Sequence, residues 1–409
     1  MYLYDRQPSN ATPYIDASSF TQPTLPRSPV WRHRAGYPQA FGEAPAAPKG
    51  LLLPNHFHTP KQPDPATPGR FVTGALTTLN VANMNPGFID ASDQLITDTS
   101  STGLQTCLQK LIATRFPHYL ANKQNPVPSA NDRVRVALVD LTGDKITRPD
   151  LAGWGSTAAM YGASVPKILA VYAAHQLRAD LRQLALSLGL SDGKALEKAA
   201  LNHWQFKSHL PNLVWLFDIR NWSGNTTALD FTAAAQRLFQ GISHNAEAGE
   251  LIIRVGFPYL ASVTWQSGLF HPTRGGLWLT SSYGRGEWGG NPVKGVNSAN
   301  VTALAVATYF TLLAQGRLVN DASSGEIITT LRTGCTTSLF PSGLGVVAAK
   351  CGIWSDYLHD CALIVRGGIR YVVAGLTRTR GGEYAKYTQL FQELDQLIVR
   401  NNQSPKPSC

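Results

Sequence analysis

The chain has 409 residues, 43% of them hydrophobic and only 15% charged, enough apolar material for a sizeable core. Its 36 Lys and Arg against 26 Asp and Glu leave a net charge of +10, which favours anionic partners in general. Nucleic-acid-binding motifs and Lys/Arg-rich runs are absent and the apolar runs fall short of a membrane span, so neither nucleic acid nor membrane is expected as a partner.

The first residues, MYLYDRQPSNATPYID, lack the basic segment and apolar stretch of a secretory signal. A cytoplasmic location is the expectation, or a periplasmic or secreted one if a signal was trimmed or is atypical. Residues 1–98 form the first expected unit, a proline-rich irregular arm. Prolines recur from Pro8 to Pro68 and no helical or strand period is sustained, so extended coil, a wrapping segment or disorder is expected. His56 and His58 are of a type that can ligate a metal, but without a third ligand they read as incidental.

Residues 99–405 form the second expected unit, a folded α/β domain. Leu104, Leu108, Leu111 and Ile112 recur at helical spacing before Pro117. The run from Arg133 to Val139 reads as a strand, and the turn Thr142-Gly143-Asp144 leads to a second one. Ser164 to Leu181 reads as a mostly apolar central helix, and helices fill much of 194–260. Gly, Ser and Asn make 270–300 a loop region, and Val301–Gln315 is a helix ended by Gly316. Gly345–Lys350, Cys361–Arg366 and Ile369–Thr377 read as strands, the last two joined by Gly367-Gly368. A closing helix carries Tyr387, Leu390, Phe391, Leu394, Leu397 and Ile398 on one face. The order predicts an antiparallel sheet in which the first strand joins the C-terminal ones, flanked by helices and an all-helical subdomain.

The cysteines are Cys107, Cys335, Cys351, Cys361 and Cys409. An odd count without a C-x-x-C pair argues against a disulfide framework and a zinc site. Cys351 and Cys361 facing each other across a hairpin is one reading, and two buried free thiols is the expected one. Asp356, His359 and Asp360 read as hairpin-turn residues. No G-x-S-x-G elbow surrounds Ser164 to make them part of a Ser-His-Asp triad.

The most informative segment is Tyr161-Gly-Ala-Ser164-Val-Pro-Lys167. A serine at a helix start meets the positive end of the dipole, and Pro166 fits the first turn, where its missing N–H costs nothing. Lys167 lies one turn on and can reach back to the Ser164 hydroxyl to relay its proton. Two further elements follow in order: Ser243-His244-Asn245 between two amphipathic helices, and Lys350-Cys351-Gly352 at the end of the first C-terminal strand. A competing S-x-N at Ser223-Gly224-Asn225 reads instead as a helix cap.

The series S-x-x-K, S-x-N, K-x-G resembles the signature of the serine β-lactamase and penicillin-binding protein superfamily, over about residues 100–400, and is closest to its class A β-lactamase-like members. His244 replaces the usual Asp and Cys351 the usual Thr or Ser, which removes a hydroxyl that helps bind a substrate carboxylate. Glu287-Trp-Gly-Gly-Asn291 resembles the omega-loop Glu and Asn that hold the deacylating water; a solvated loop glutamate is the plain alternative.

The resemblance implies a serine acyl hydrolase acting on an amide or β-lactam carboxylate. Ser164 is the expected nucleophile and Lys167 its activator, with Ser243 passing the proton to the leaving nitrogen and Glu287 serving deacylation. Asn245 and Asn291 position substrate or water, Lys350 attracts the carboxylate, and Gly352 and Ile353 line the site. The Ser164 and Ile353 N–H groups form the oxyanion hole. No metal or organic cofactor is implied. A DD-carboxypeptidase, a serine-dependent glutaminase and a catalytically silent penicillin-binding-like protein are the rivals.

Overall fold

The computed structural model describes residues 61–63, 71–73, 102–116, 134–146, 149–203, 209–224, 229–267, 269–271, 275–284, 299–316, 318–332, 340–341, 343–378 and 384–403. Within the proline-rich segment these include one short antiparallel ladder, β1 (Lys61–Pro63) with β2 (Phe71–Thr73); the rest of the expected arm lies outside the described residues.

The folded part begins with α1 (Thr102–Arg115), then β3 (Val134–Asp140), β4 (Asp150–Trp154) and β5 (Met160–Tyr161). A 3-10 turn over Val165–Lys167 leads into α2 (Ile168–Leu188). The helical subdomain continues with α3 (Gly193–His203), α4 (Leu213–Leu216), α5 (Ala233–Gln240), α6 (Asn245–Val255) and α7 (Phe257–Gln266). Three two-residue strands follow, β6 (Phe270–His271), β7 (Gly275–Gly276) and β8 (Asn300–Val301), where the sequence reads as loop. Then come α8 (Ala303–Ala314), α9 (Asp321–Leu331), β9 (Val346–Trp354), β10 (Tyr357–Arg366), β11 (Ile369–Arg378) and α10 (Tyr384–Asn401).

Five strands form an antiparallel sheet in the order β4-β3-β11-β10-β9. The N-terminal strand therefore joins the C-terminal ones, as expected, through register pairs such as Ala137 with Ala374. The hairpin between β10 and β11 turns on Gly367 and Gly368, both at positive φ (52° and 81°), the geometry of a two-residue type I′ turn. One face of the sheet packs on α1 and α10 through Leu104, Leu108, Val136, Tyr371 and the expected stripe Tyr387–Ile398. The other face packs on the helical subdomain through Ala137, Val139, Cys361 and Ala374. Helix α2 is the centre of that second core. Every residue from Ile168 to Ala174 is buried, so it is apolar on all sides instead of amphipathic. Gly189, left-handed at φ 61°, ends it by donating to the Ala185 and Leu186 carbonyls.

Several expectations change. β9 runs four residues past Lys350, so Lys350-Cys351-Gly352 lies inside the strand and not at its end. β10 starts at Tyr357, which moves His359 and Asp360 from a turn into a buried strand and leaves Asp356 in the turn. Cys351 is disulfide-bonded, as is Cys107, while Cys361 is a buried free thiol. Cys351 pairs across the strands with Asp360, and Cys361 with Lys350, so the two cysteines are not opposite each other. Ser223 is exposed and starts no helix among the described residues; α5 is capped by Thr232, whose hydroxyl accepts from Ala235 N–H at 3.1 Å.

Candidate active site

Ser164 sits where β5 turns into the 3-10 segment ahead of α2. Its backbone, at φ −88° and ψ −2°, occupies the sparsely populated bridge region, and its side chain makes no capping hydrogen bond. The preceding Ala163 has φ 47°, uncommon for a residue with a Cβ and a local strain that the surroundings must hold. The turn is fixed by backbone bonds: Gly162 N–H donates to Ala299 carbonyl at 2.9 Å, and Val165 N–H to Gly162 carbonyl at 2.9 Å.

Lys167 is fully buried, and its geometry joins two of the sequence elements. Its Nζ donates to Asn245 Oδ1 at 2.6 Å and to the Ser243 carbonyl at 3.1 Å. Helix α6 begins at Asn245, directly after the Gly241–His244 turn, and packs against α2, whose N-cap is the lysine. His244 points to solvent beside Glu247 (3.8 Å) and takes no part in this cluster.

β9 approaches from the sheet side. A Cβ on Gly352 would lie 2.6 Å from Gly162 carbonyl oxygen and 3.1 Å from Ser164 nitrogen, so only glycine lets the strand run this close. Ile353, the next residue, is 44% exposed. Lys350 is buried and donates to Cys351 carbonyl at 2.8 Å. Burial lowers its pKa to about 8, against the opposing pull of Asp360 and Cys361. Glu287 and Asn291 lie outside the described residues.

Two residues at the site escaped the sequence reading. His359 on β10 accepts from Thr377 N–H at its Nδ1 (3.1 Å) and so donates from Nε2 to the Tyr161 carbonyl (2.7 Å), three residues before Ser164. Tyr283 donates its hydroxyl to the Ala163 carbonyl at 3.1 Å, and its ring centroid lies 4.5 Å from Lys167 Nζ. Neither carries a motif signal. The tyrosine stands alone in a Gly/Ser-rich stretch, and the histidine falls in an apolar run with no alternation.

Burial lowers His359 to about 4 from 6.5, so it is neutral at pH 7. Between these values the unfolded chain binds a proton that the folded chain does not, and stability falls as pH drops through that window. The group accounts for about 3 kcal/mol over the window. His175, buried beside Arg178, is lowered in the same direction and adds to the slope. His359→Gln should flatten the stability curve between pH 6.5 and 4, read from urea midpoints. A slope equal to the parent's would contradict the assignment.

A model described as the β-lactamase enzyme family matches residues 242–401. The match takes in Ser243, Asn245 and Lys350–Ile353 and leaves Ser164 and Lys167 outside it. No protein with a curated description matches. Among solved structures, the chain is similar to a β-lactamase from Sphaerobacter thermophilus, at 14% identity over 73% of this chain and 96% of that one (TM-score 0.42). It is also similar to the penicillin-binding protein PBP-A, at 17% identity over 73% and 96% (TM-score 0.42), and to an ancestral class A β-lactamase, at 17% over 72% and 98% (TM-score 0.42). Residues 242–401 are thus similar to the β-lactamase enzyme family, and the antiparallel sheet flanked by helices agrees with the fold expected of the serine β-lactamase and penicillin-binding protein superfamily.

Proposed function

We propose that the chain is a serine acyl hydrolase for a β-lactam or related amide bearing a carboxylate, working through an acyl-enzyme on Ser164. The observation that carries this reading is the double hydrogen bond of buried Lys167 to Asn245 Oδ1 and the Ser243 carbonyl. It favours Ser243-His244-Asn245 over Ser223-Gly224-Asn225 as the second motif.

In this mechanism Ser164 Oγ attacks the amide carbonyl carbon, and Lys167 relays the hydroxyl proton. The developing oxyanion meets the N–H groups of Ser164 and Ile353, which the close approach of Gly352 supports as neighbours. Ser243 passes a proton to the leaving nitrogen as the C–N bond breaks, leaving an ester on Ser164. Water then attacks the ester, with Glu287 taking its proton and Asn291 helping to hold it. Asn245 orients the substrate amide, and Lys350 supplies positive charge for the carboxylate. Its pKa of about 8 keeps it mostly protonated at pH 7.

One observation favours a second reading, a penicillin-binding-like protein that acylates without turnover. Cys351 is tied up in a disulfide where a hydroxyl would help seat the carboxylate. Disulfides persist in oxidising compartments, which favours the exported alternative over the cytoplasm. Fluorescent penicillin incubated with the full chain and read on a denaturing gel tests the reading. A covalent band is expected, together with slow or rapid release that separates the two variants of the function. The absence of any band together with no hydrolysis of the probe at high concentration contradicts both.

A further inference from the structure

We propose that Tyr283 is a positioning residue for the Ser164–Lys167 pair, its hydroxyl holding the turn that presents the serine and its ring holding the lysine nitrogen. The inference rests on the reading of Ser164 as nucleophile and Lys167 as its activator.

The backbone supplies the first observation. Tyr283 has φ 55°, in the left-handed region that bulky side chains rarely enter. Such a conformation persists only where the surroundings over-determine it, and it gathers at sites where orientation matters. The second observation is where the side chain goes. The hydroxyl donates to the carbonyl of Ala163 (3.1 Å), which itself has φ 47° and immediately precedes Ser164. The phenol thus ties down the Ala163–Ser164 peptide, one of the two that flank the serine.

The third observation concerns the lysine. Lys167 Nζ lies 4.5 Å from the ring centroid, inside the range in which the negative face of an aromatic ring attracts a cation. Two further sides of that nitrogen are taken by Asn245 Oδ1 and the Ser243 carbonyl, and the side chain is fully buried. The ring therefore closes the lysine's surroundings against water and fixes where the nitrogen points. One strained residue contacts Lys167 and the residue immediately before Ser164, from a loop that neither belongs to.

Two variants separate the two contacts. Tyr283→Phe keeps the ring and loses the bond to Ala163, whereas Tyr283→Leu loses both. Acylation of the full chain by fluorescent penicillin is followed over time at several probe concentrations and pH values, with the thermal midpoint measured alongside. We expect the saturating acylation rate to fall about fivefold in the Phe variant, one hydrogen bond's worth. In the Leu variant it should fall on the order of a hundredfold, with a changed pH profile. The probe concentration giving half-maximal rate should stay close to the parent's in both. Parental rates in both variants overturn the inference, as does an equal loss in both that tracks a lowered thermal midpoint. Ser164→Ala is the control for the reading beneath it. If the parent labels no better than Ser164→Ala, the proposed function fails and this inference with it; if the parent labels and Tyr283 is indifferent, the inference alone fails.

Discussion

Lys167→Met should slow acylation of Ser164 by about 10²–10⁴-fold, the range for loss of a positioned proton-transfer group. Methionine matches the length and apolar stem of the lysine, so the buried turn ahead of α2 keeps its packing. What it removes is the donor. Asn245 Oδ1 and the Ser243 carbonyl both receive from Lys167 Nζ, at 2.6 and 3.1 Å, and both lose that partner. Each lost hydrogen bond is worth about 0.5–1.5 kcal/mol, so stability should fall as well. The two effects are separable, because urea unfolding reads the acceptors and acylation of the still-folded fraction reads proton transfer. Lys167→Arg should not rescue the rate, since a guanidinium stays protonated and cannot accept the hydroxyl proton. A Met variant that acylates at the parental rate would remove Lys167 from the mechanism.

Gly352→Val should be nearly as damaging, for a steric reason. Its Cβ would lie 2.6 Å from Gly162 carbonyl oxygen and 3.1 Å from both Ser164 nitrogen and His359 Cδ2. Two of those three atoms are backbone and cannot swing aside. The strand must move away from the turn that carries Ser164, taking the Ile353 N–H with it. A displacement of about 1 Å at a reacting centre costs about 10²-fold, and that loss is expected in acylation while the far-ultraviolet circular dichroism stays helical and sheet-like. Gly325→Ala is the matched control. It lies in α9 with no atom within 4 Å of its would-be Cβ, so acylation should be unchanged and stability slightly raised, by about 0.5–1 kcal/mol. Equal acylation by Gly352→Val and parent would mean that β9 is not part of the site.

Much of this architecture is legible in the residues because it rests on local pattern. The α1 and α10 stripes have helical period, Gly367-Gly368 specifies its own turn, and helices flank Ser243-His244-Asn245 as amphipathic segments do. The errors fall where tertiary contact decides. His359 and Asp360 interrupt an apolar run and so resemble a turn, yet β10 is covered on both faces and absorbs them with partners from Thr377, Tyr161 and Tyr387. Cys351 looks like a buried thiol until the fold brings it to a disulfide, a relation that spacing does not encode. The short run Asn320-Asp321 gives α9 a capped start, with Asn320 Oδ1 accepting from Ser323 N–H at 2.9 Å. Tyr283 has no sequence pattern at all; its importance comes from a backbone angle and two contacts.

The central claim is that Ser164 forms the acyl-enzyme, and intact-mass spectrometry with peptide mapping tests it most directly. The full chain is incubated with benzylpenicillin, quenched in acid and weighed, then digested to locate the adduct. A gain of one penicilloyl mass is expected, carried by the peptide containing Ser164 and Lys167, with no gain in Ser164→Ala, whose circular dichroism should match the parent's. An adduct on any other residue, or an unchanged adduct in Ser164→Ala, would contradict it.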